Sequence, residues 1–233
     1  MIYDKKQNTS FAIGAFATIE LLKQRISDVV GVYFSSKLKI NNITEEIFSI
    51  CKEQKIPLLE RTKFIEKVAG KENVFIICEF NKYKSHLNKG NHLVLVNPMD
   101  MGNLGTIIRT SLGFNIKNIA IIKPCVDIFD PKVIRASQGA IFSTNICEFE
   151  SFNDYFKAFK EHQFYLFCLS GNKYLQEIDE IKKPYSLVFG NEATGLPENI
   201  LSYGEKIKIK QSKEIDSFNL AVSVAMALYE FSK

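Results

Sequence analysis

From residue 92 onward, short apolar runs rich in branched and aromatic side chains keep returning, and segments of helical periodicity lie between them. The runs are His92 to Val96, Asn118 to Ile122, Phe164 to Leu169, Tyr185 to Phe189 and Lys206 to Ile209. The helical patterns fall at Leu104 to Phe114, Phe152 to Lys160 and Asn219 to Phe231. Apolar runs of this length suit strands buried on both faces, and strands alternating with helices imply a mainly parallel sheet covered on both sides. The expected fold is therefore α/β. Ligands of such sheets sit beyond the carboxyl ends of the strands. The residues that follow Val96, Val188 and Ile209 thus draw attention. In the last helix Leu220, Val224, Leu228 and Phe231 recur at spacings of three or four, a stripe that faces a core or a partner subunit.

The front of the chain reads as a smaller α/β unit over residues 1–85. A helix is predicted from Phe11 to Arg25 after Ser10, a strand from Val29 to Phe34 and a second helix from Thr44 to Gln54. Thr62 is placed to cap a short helix that ends at Gly70. Val74 to Phe80 reads as a buried strand. The stretch Asn81 to Asn91 is polar, carries Gly90 and three lysines, and lacks apolar periodicity, so it marks the boundary with a second domain over residues 91–233.

With 233 residues, 46% hydrophobic and 24% charged, the chain has core enough for two soluble domains. The net charge of +4 is unevenly spread: residues 1–90 hold 15 Lys+Arg against 10 Asp+Glu, and the remainder is close to balanced. A positive field at the front suits a polyanion such as RNA, and a lysine-rich solvated surface accounts for it equally well. Five scattered cysteines without a C-x-x-C pair, and three histidines near none of them in sequence, argue against structural zinc and disulfides. The first residues lack the apolar run of a secretory signal, and the longest apolar stretch, Phe11 to Leu22, is broken by Gly14, Thr18 and Glu20. A cytoplasmic protein without a membrane segment is expected.

Three segments carry polar residues and glycines that a plain core does not need. The first is Asp100-Met101-Gly102-Asn103-Leu104-Gly105-Thr106-Ile107-Ile108-Arg109. Asn103 and Arg109 are separated by about 600° of helical rotation, so they converge only if Asn103 lies in a non-helical loop before the helix, which the flanking glycines permit. A capped helix start with an exposed arginine explains the segment as well. The second, Phe189-Gly190-Asn191-Glu192-Ala193-Thr194-Gly195-Leu196, places an acid-amide pair between glycines where a strand ends. The third leaves Ile209 through polar residues to Ser217-Phe218-Asn219-Leu220, with Ser217 a plausible helix cap. Asn219 is harder to explain, because asparagine competes with the helical backbone. Neither G-x-G-x-x-G nor the phosphate-loop signature is present.

In this order and spacing the three segments resemble the motifs of the SpoU (TrmH-type) RNA ribose 2'-O-methyltransferases. Asp130-Pro131 through Arg135-Ala136-Ser137-Gln138-Gly139-Ala140 resembles the same pattern between the first two. The resemblance covers residues 92–231, and residues 10–85 are similar to the ribosomal-protein-like RNA-binding domain often fused in front. It implies a SPOUT fold whose C-terminal segment is threaded as a trefoil knot. It implies S-adenosylmethionine as cofactor, RNA (rRNA or tRNA, not DNA) as substrate, and a homodimer with its sites near the subunit interface.

By the same resemblance Asn103, Arg109, Glu192, Ser217 and Asn219 occupy the functional polar positions, and Gly190, Asn191, Ile209, Gln211 and Phe218 occupy the cofactor positions. Arg109 and Arg135 would meet RNA phosphates through their planar forks. Lys210-Gln211 stand where Pro-Met is common in the family, Lys213 where glycine is frequent, and Phe218 replaces a common leucine. Contacts made by the main chain tolerate these changes. A protein of the same fold that binds RNA or assists ribosome assembly without methylating is the competing expectation.

Overall fold

The computed structural model describes residues 3–70 and 73–233. The chain forms two units: Met1–Tyr83 together with Asp127–Ser143, and Lys84–Val126 together with Thr144–Lys233. Among the described residues no helix is long and apolar enough to cross a membrane.

In the first unit the elements run β1 (Thr9–Ile13), α1 (Ala15–Gln24), β2 (Val29–Phe34), α2 (Asn42–Glu53), β3 (Leu58–Glu60), α3 (Thr62–Ala69) and β4 (Ile76–Asn81). The sheet order is β1-β4-β2-β3, with only β2 and β3 parallel. The helix predicted from Phe11 is corrected here. Phe11, Ala12 and Ile13 are buried in β1, paired antiparallel with β4, and Gly14 at φ +95° separates that strand from α1. Pairing with the apolar β4 outweighs a pattern that fits either element. Thr62 is corrected too. It is the first helical residue rather than the cap, and its Oγ1 accepts from the Ser36 N–H at 3.0 Å. By contrast α2 starts on a capping box between Asn41 and Thr44.

The second unit continues with β5 (His92–Val96), α4 (Met101–Gly113) and β6 (Asn118–Ile122). The chain then passes through α5 (Pro131–Ala136), which belongs to the first unit, so the expected continuous second domain is interrupted. Phe129 and Phe142 pack edge-on against Phe80 at 6.0 and 5.3 Å, and the Ser10 hydroxyl donates to the Phe129 carbonyl. Gly139, at φ +86°, lies so close to α1 that a Cβ there would fall 2.8 Å from Glu20 Cβ and 3.1 Å from Ala17 Cα.

After this excursion come β7 (Asn145–Phe149), α6 (Phe152–Ala158), β8 (Gln163–Phe167), β9 (Lys173–Tyr174), β10 (Tyr185–Phe189), β11 (Glu205–Lys208) and α7 (Leu220–Phe231). The seven strands lie in the order β7-β6-β5-β10-β8-β11-β9, every pair parallel. Val94, Val96, Ala120, Ile122, Leu166 and Val188 face α6 and bury against Phe152 and Tyr155. On the other face Phe231 of α7 packs its ring 5.1 Å from Tyr185 and 4.8 Å from Tyr165. Each fully buried apolar side chain contributes about 1.5–3 kcal/mol.

At the amino end of these strands lies a buried polar chain. His92 Nε2 donates to the Asn88 carbonyl at 2.8 Å, which leaves neutral Nδ1 to accept from the Tyr155 hydroxyl at 2.8 Å. Tyr155 meets Ser186 at 2.7 Å, and Ser186 meets His162 Nδ1 at 2.9 Å. Burial pushes His92 down to about 4 and lowers His162 as well.

Two outcomes are expected. The neutral His92 is favoured by folding, so its contribution is complete above the unfolded value near ~6.5 and is lost as pH falls through about 4. Denaturant titrations from pH 7 to 4 should show a loss on the order of 3 kcal/mol, with a smaller slope in His92→Gln. Gly139→Ala combines a strained φ with a collision against α1 and should lower unfolding free energy by about 1–3 kcal/mol in the same assay.

Candidate active site

β10, β8 and β11 are neighbours in one parallel sheet, so the chain leaves all three at the same end. The segments that follow them, with the start of α7, enclose a cavity of about 380 Å³. Leu169, Leu196, Leu201, Ile209 and Phe218 supply apolar wall. The Ser217 and Ser223 side chains also line it, and their hydroxyls have no intramolecular partner among the described residues. A cleft of this size, with apolar wall and polar groups set among it, is the usual form of a small-molecule site.

The wall after β10 is a tight turn. Asn191 and Gly195 exchange backbone hydrogen bonds at 3.2 and 2.9 Å. A Cβ on Gly190 would lie 2.1 Å from the Gly195 carbonyl carbon and 2.3 Å from Leu196 N, so only glycine allows the turn to close. The Asn191 side chain holds this loop together and ties it to the end of β5: Nδ2 donates to the Asn97 carbonyl at 2.7 Å and to Glu192 at 3.3 Å, and Oδ1 accepts from the Ala193 and Thr194 amides.

Glu192 gathers the surrounding segments. Its carboxylate accepts from the Met99 and Asp100 backbone N–H groups at 3.3 and 3.2 Å, from Asn103 Nδ2 at 3.4 Å and from Asn191 Nδ2. Asn103 Oδ1 in turn accepts from Asn219 Nδ2 at 3.0 Å. Asn219, not Ser217, caps α7, its Oδ1 accepting from the Ala221 N–H at 2.8 Å. That explains an asparagine at the start of this helix.

Of the residues singled out from sequence, Gly190, Asn191, Glu192, Ile209, Gln211, Ser217 and Phe218 line the cavity. Asn103 and Asn219 join it through Glu192. Gln211 also turns back on its own loop, donating to the Asp216 carbonyl at 3.0 Å.

Arg109 is not brought to this cavity by its own chain. Asp100 caps α4 by accepting from the Asn103 N–H at 2.6 Å, so Asn103 is helical and the expected loop conformation is corrected. Two helical residues six apart lie about 9 Å apart along the axis and on different faces. Arg109 is exposed, with no hydrogen bond or ion pair among the described residues. Arg135 is exposed on α5 in the first unit. No cluster able to hold a metal ion occurs among the described residues.

Sequence reasoning missed Asn97, Leu169 and Ser170. Leu169, predicted to end a strand, lies beyond β8, which stops at Phe167, and lines the cavity. Asn97 offered a signal, a polar residue directly after a buried strand.

A parallel α/β sheet with a cavity where neighbouring strands end defines a protein that holds a small molecule or cofactor at the carboxyl edge of its sheet. The SpoU rRNA methylase family profile matches residues 90–229, and the chain belongs to that family. An uncharacterized tRNA/rRNA methyltransferase of Synechocystis sp. is 32% identical over 141 residues, 59% of this chain and 51% of the relative, so the match spans about half of that protein. A putative tRNA (cytidine(34)-2'-O)-methyltransferase of Listeria monocytogenes is 30% identical over 145 residues, 60% of this chain and 85% of its own length. The solved structure of an AdoMet-bound rRNA methyltransferase from Sinorhizobium meliloti shares the fold, with a TM-score of 0.81 and 24% identity over 96% of this chain and 86% of that one.

Gly190→Ala should abolish the tight turn and weaken S-adenosylmethionine binding at least tenfold by calorimetry, because the added carbon meets backbone. Glu192→Ala leaves its donors without their charged acceptor and should cost about 1–3 kcal/mol in denaturant unfolding, with Glu192→Gln losing less.

Proposed function

We propose that this protein transfers the methyl group of S-adenosylmethionine to a ribose 2'-hydroxyl of a structured RNA, ribosomal RNA ahead of transfer RNA. The observation that carries this is the cavity at the carboxyl ends of β10, β8 and β11, bordered by the network of Glu192, Asn103 and Asn219. Its apolar wall suits a nucleoside face, and its strand-end backbone and unengaged hydroxyls suit polar edges. Gly190, Ile209, Gln211 and Phe218 would hold the cofactor, with Asn191 holding the wall. The bound cofactor supplies an electrophilic methyl on a sulfonium.

The remaining task for the protein is to orient the ribose oxygen and to receive its proton. A guanidinium has almost no free lone pair near neutrality, so Arg109 is assigned to clamp the phosphate beside the target ribose, which fixes the nucleophile, with the proton passing to a phosphate oxygen or to an arginine made a better base by its surroundings as the new bond forms. Asn103 and Glu192 set the start of α4, and Ser217 with Asn219 shapes the mouth of the cavity. The exposed Val222 and Tyr229 of α7, at 44% and 63%, favour a homodimer, in which Arg109 of one copy serves the site near the subunit interface. The expected trefoil knot and cytoplasmic setting belong to the same reading. A Cβ on Gly171 would lie 2.6 Å from the Ile207 carbonyl carbon, and such backbone contact suits a threaded segment.

The preference for ribosomal RNA rests on the first unit. The Listeria relative is covered over most of its length by a match confined to 60% of this chain, so it has little room for such a unit. Arg135 and the basic front of the chain are then free to hold RNA phosphates away from the reacting ribose.

Arg109→Ala should lose methyl transfer by 10²-fold or more, on the order expected for a positioning and charge-stabilising group, while S-adenosylmethionine affinity stays at the wild-type value. Wild-type transfer by this variant would remove the assignment. Absence of measurable S-adenosylmethionine binding by the wild-type protein would favour the non-methylating RNA-binding module.

A further inference from the structure

Strand β5 ends at Val96, and the next residue, Asn97, turns the chain with a left-handed backbone at φ +54°. Asparagine adopts that region more readily than other residues with a side chain. The segment after β6 holds it there. The Asn97 N–H donates to the Ile122 carbonyl at 2.9 Å, and its Nδ2 reaches the Ile122 and Pro124 carbonyls at 3.3 and 3.4 Å. This conformation presents the Asn97 carbonyl, which accepts from Asn191 Nδ2 at 2.7 Å. Asn191 in turn organises the cavity wall, its Oδ1 accepting from the Ala193 and Thr194 amides at 2.9 and 3.2 Å.

We propose that Asn97 is a positioning residue for methyl transfer: its left-handed carbonyl holds Asn191, and through Asn191 it sets the turn that walls the cavity. The link to catalysis rests on the reading of that cavity as the S-adenosylmethionine site. The mechanical link from Asn97 to the turn does not. Because the bond is made by a main-chain carbonyl, it is broken by changing φ at Asn97 and not by trimming the side chain. Valine strongly disfavours positive φ, whereas glycine keeps it and gives up only the two longer side-chain bonds.

Hydrogen exchange on the ligand-free protein and calorimetry with S-adenosylmethionine test this. In Asn97→Val the Ala193 and Thr194 amides should exchange about tenfold faster than in wild type, and in Asn97→Gly only about twofold faster, with cofactor affinity falling in the same order. In an Asn191→Ala background Asn97→Val should add nothing. Unchanged exchange in Asn97→Val, equal acceleration in Asn97→Gly, or a full additional effect in the Asn191→Ala background would each overturn the proposal. Should Asn97→Val fail to fold, Asn97→Ala carries the same comparison with milder strain. If the wild-type protein binds no S-adenosylmethionine, the cofactor reading falls, and the exchange measurement still decides whether Asn97 sets the turn.

Discussion

The Glu192 carboxylate is the interaction on which the site depends. It follows directly from β10, yet its acceptor atoms serve the loop after β5 and the first turn of α4. An anion at the amino end of a helix is favoured by the unpaired N–H groups and the dipole there. The same carboxylate fixes the Asn103 amide so that its oxygen is left for Asn219, the cap of α7. One charge therefore sets the starting points of two helices and the edge of the cavity between them. Removing it would leave donors that have no other acceptor of comparable strength.

Much of the second unit was legible because its strands are buried on both faces. β5, β6 and β10 occupy the expected residues, since an uninterrupted apolar run has few alternatives. The failures share a physical cause, namely that partners distant in sequence decide them. Thr9 to Ile13 runs into a helix without a polar break, and only the pairing with β4 makes it a strand. β3 and β9 are too short to show a period and exist because a neighbouring strand edge was open. The glycines around Asn103 permit the loop that its convergence with Arg109 requires, yet Asp100 caps the helix early enough to include it. The segment after β8 left no signal; the three polar segments, two of which line the cavity, were legible. The bonds that join them were not, because a hydrogen bond from Asn219 to Asn103 spans 116 positions and leaves no local trace.

The segment around Arg135 shows how one run of residues can answer to two demands. Read along the sequence, Arg135 through Ala140 looks like a single motif. In the structure its glycine is explained by packing, since Gly139 lets the chain close on Ala17 and Glu20 of α1. Ser137 is buried with its hydroxyl on the Ile134 carbonyl, which also serves the turn. Arg135 faces solvent, as Gln138 does, and is the charged residue of the run. Packing thus accounts for the small residues of the run and leaves the arginine as the part that a polyanion can use.

β5 and β10 carry different chemistry at their two ends. At the amino end His92, Tyr155, Ser186 and His162 form a buried chain whose histidines are held neutral by burial. At the carboxyl end Asn191 and Glu192 line the site, and the Asn97 carbonyl holds Asn191. Charging His92 forces a proton onto Nδ1, where Tyr155 already donates, so the cost falls on packing between β5 and α6. The cavity lies on the far side of the same strands. A decline in activity under mildly acidic conditions would therefore be governed first by the stability of the sheet, and the chemistry at the strand ends would follow it only as the strands that carry those loops lose their register.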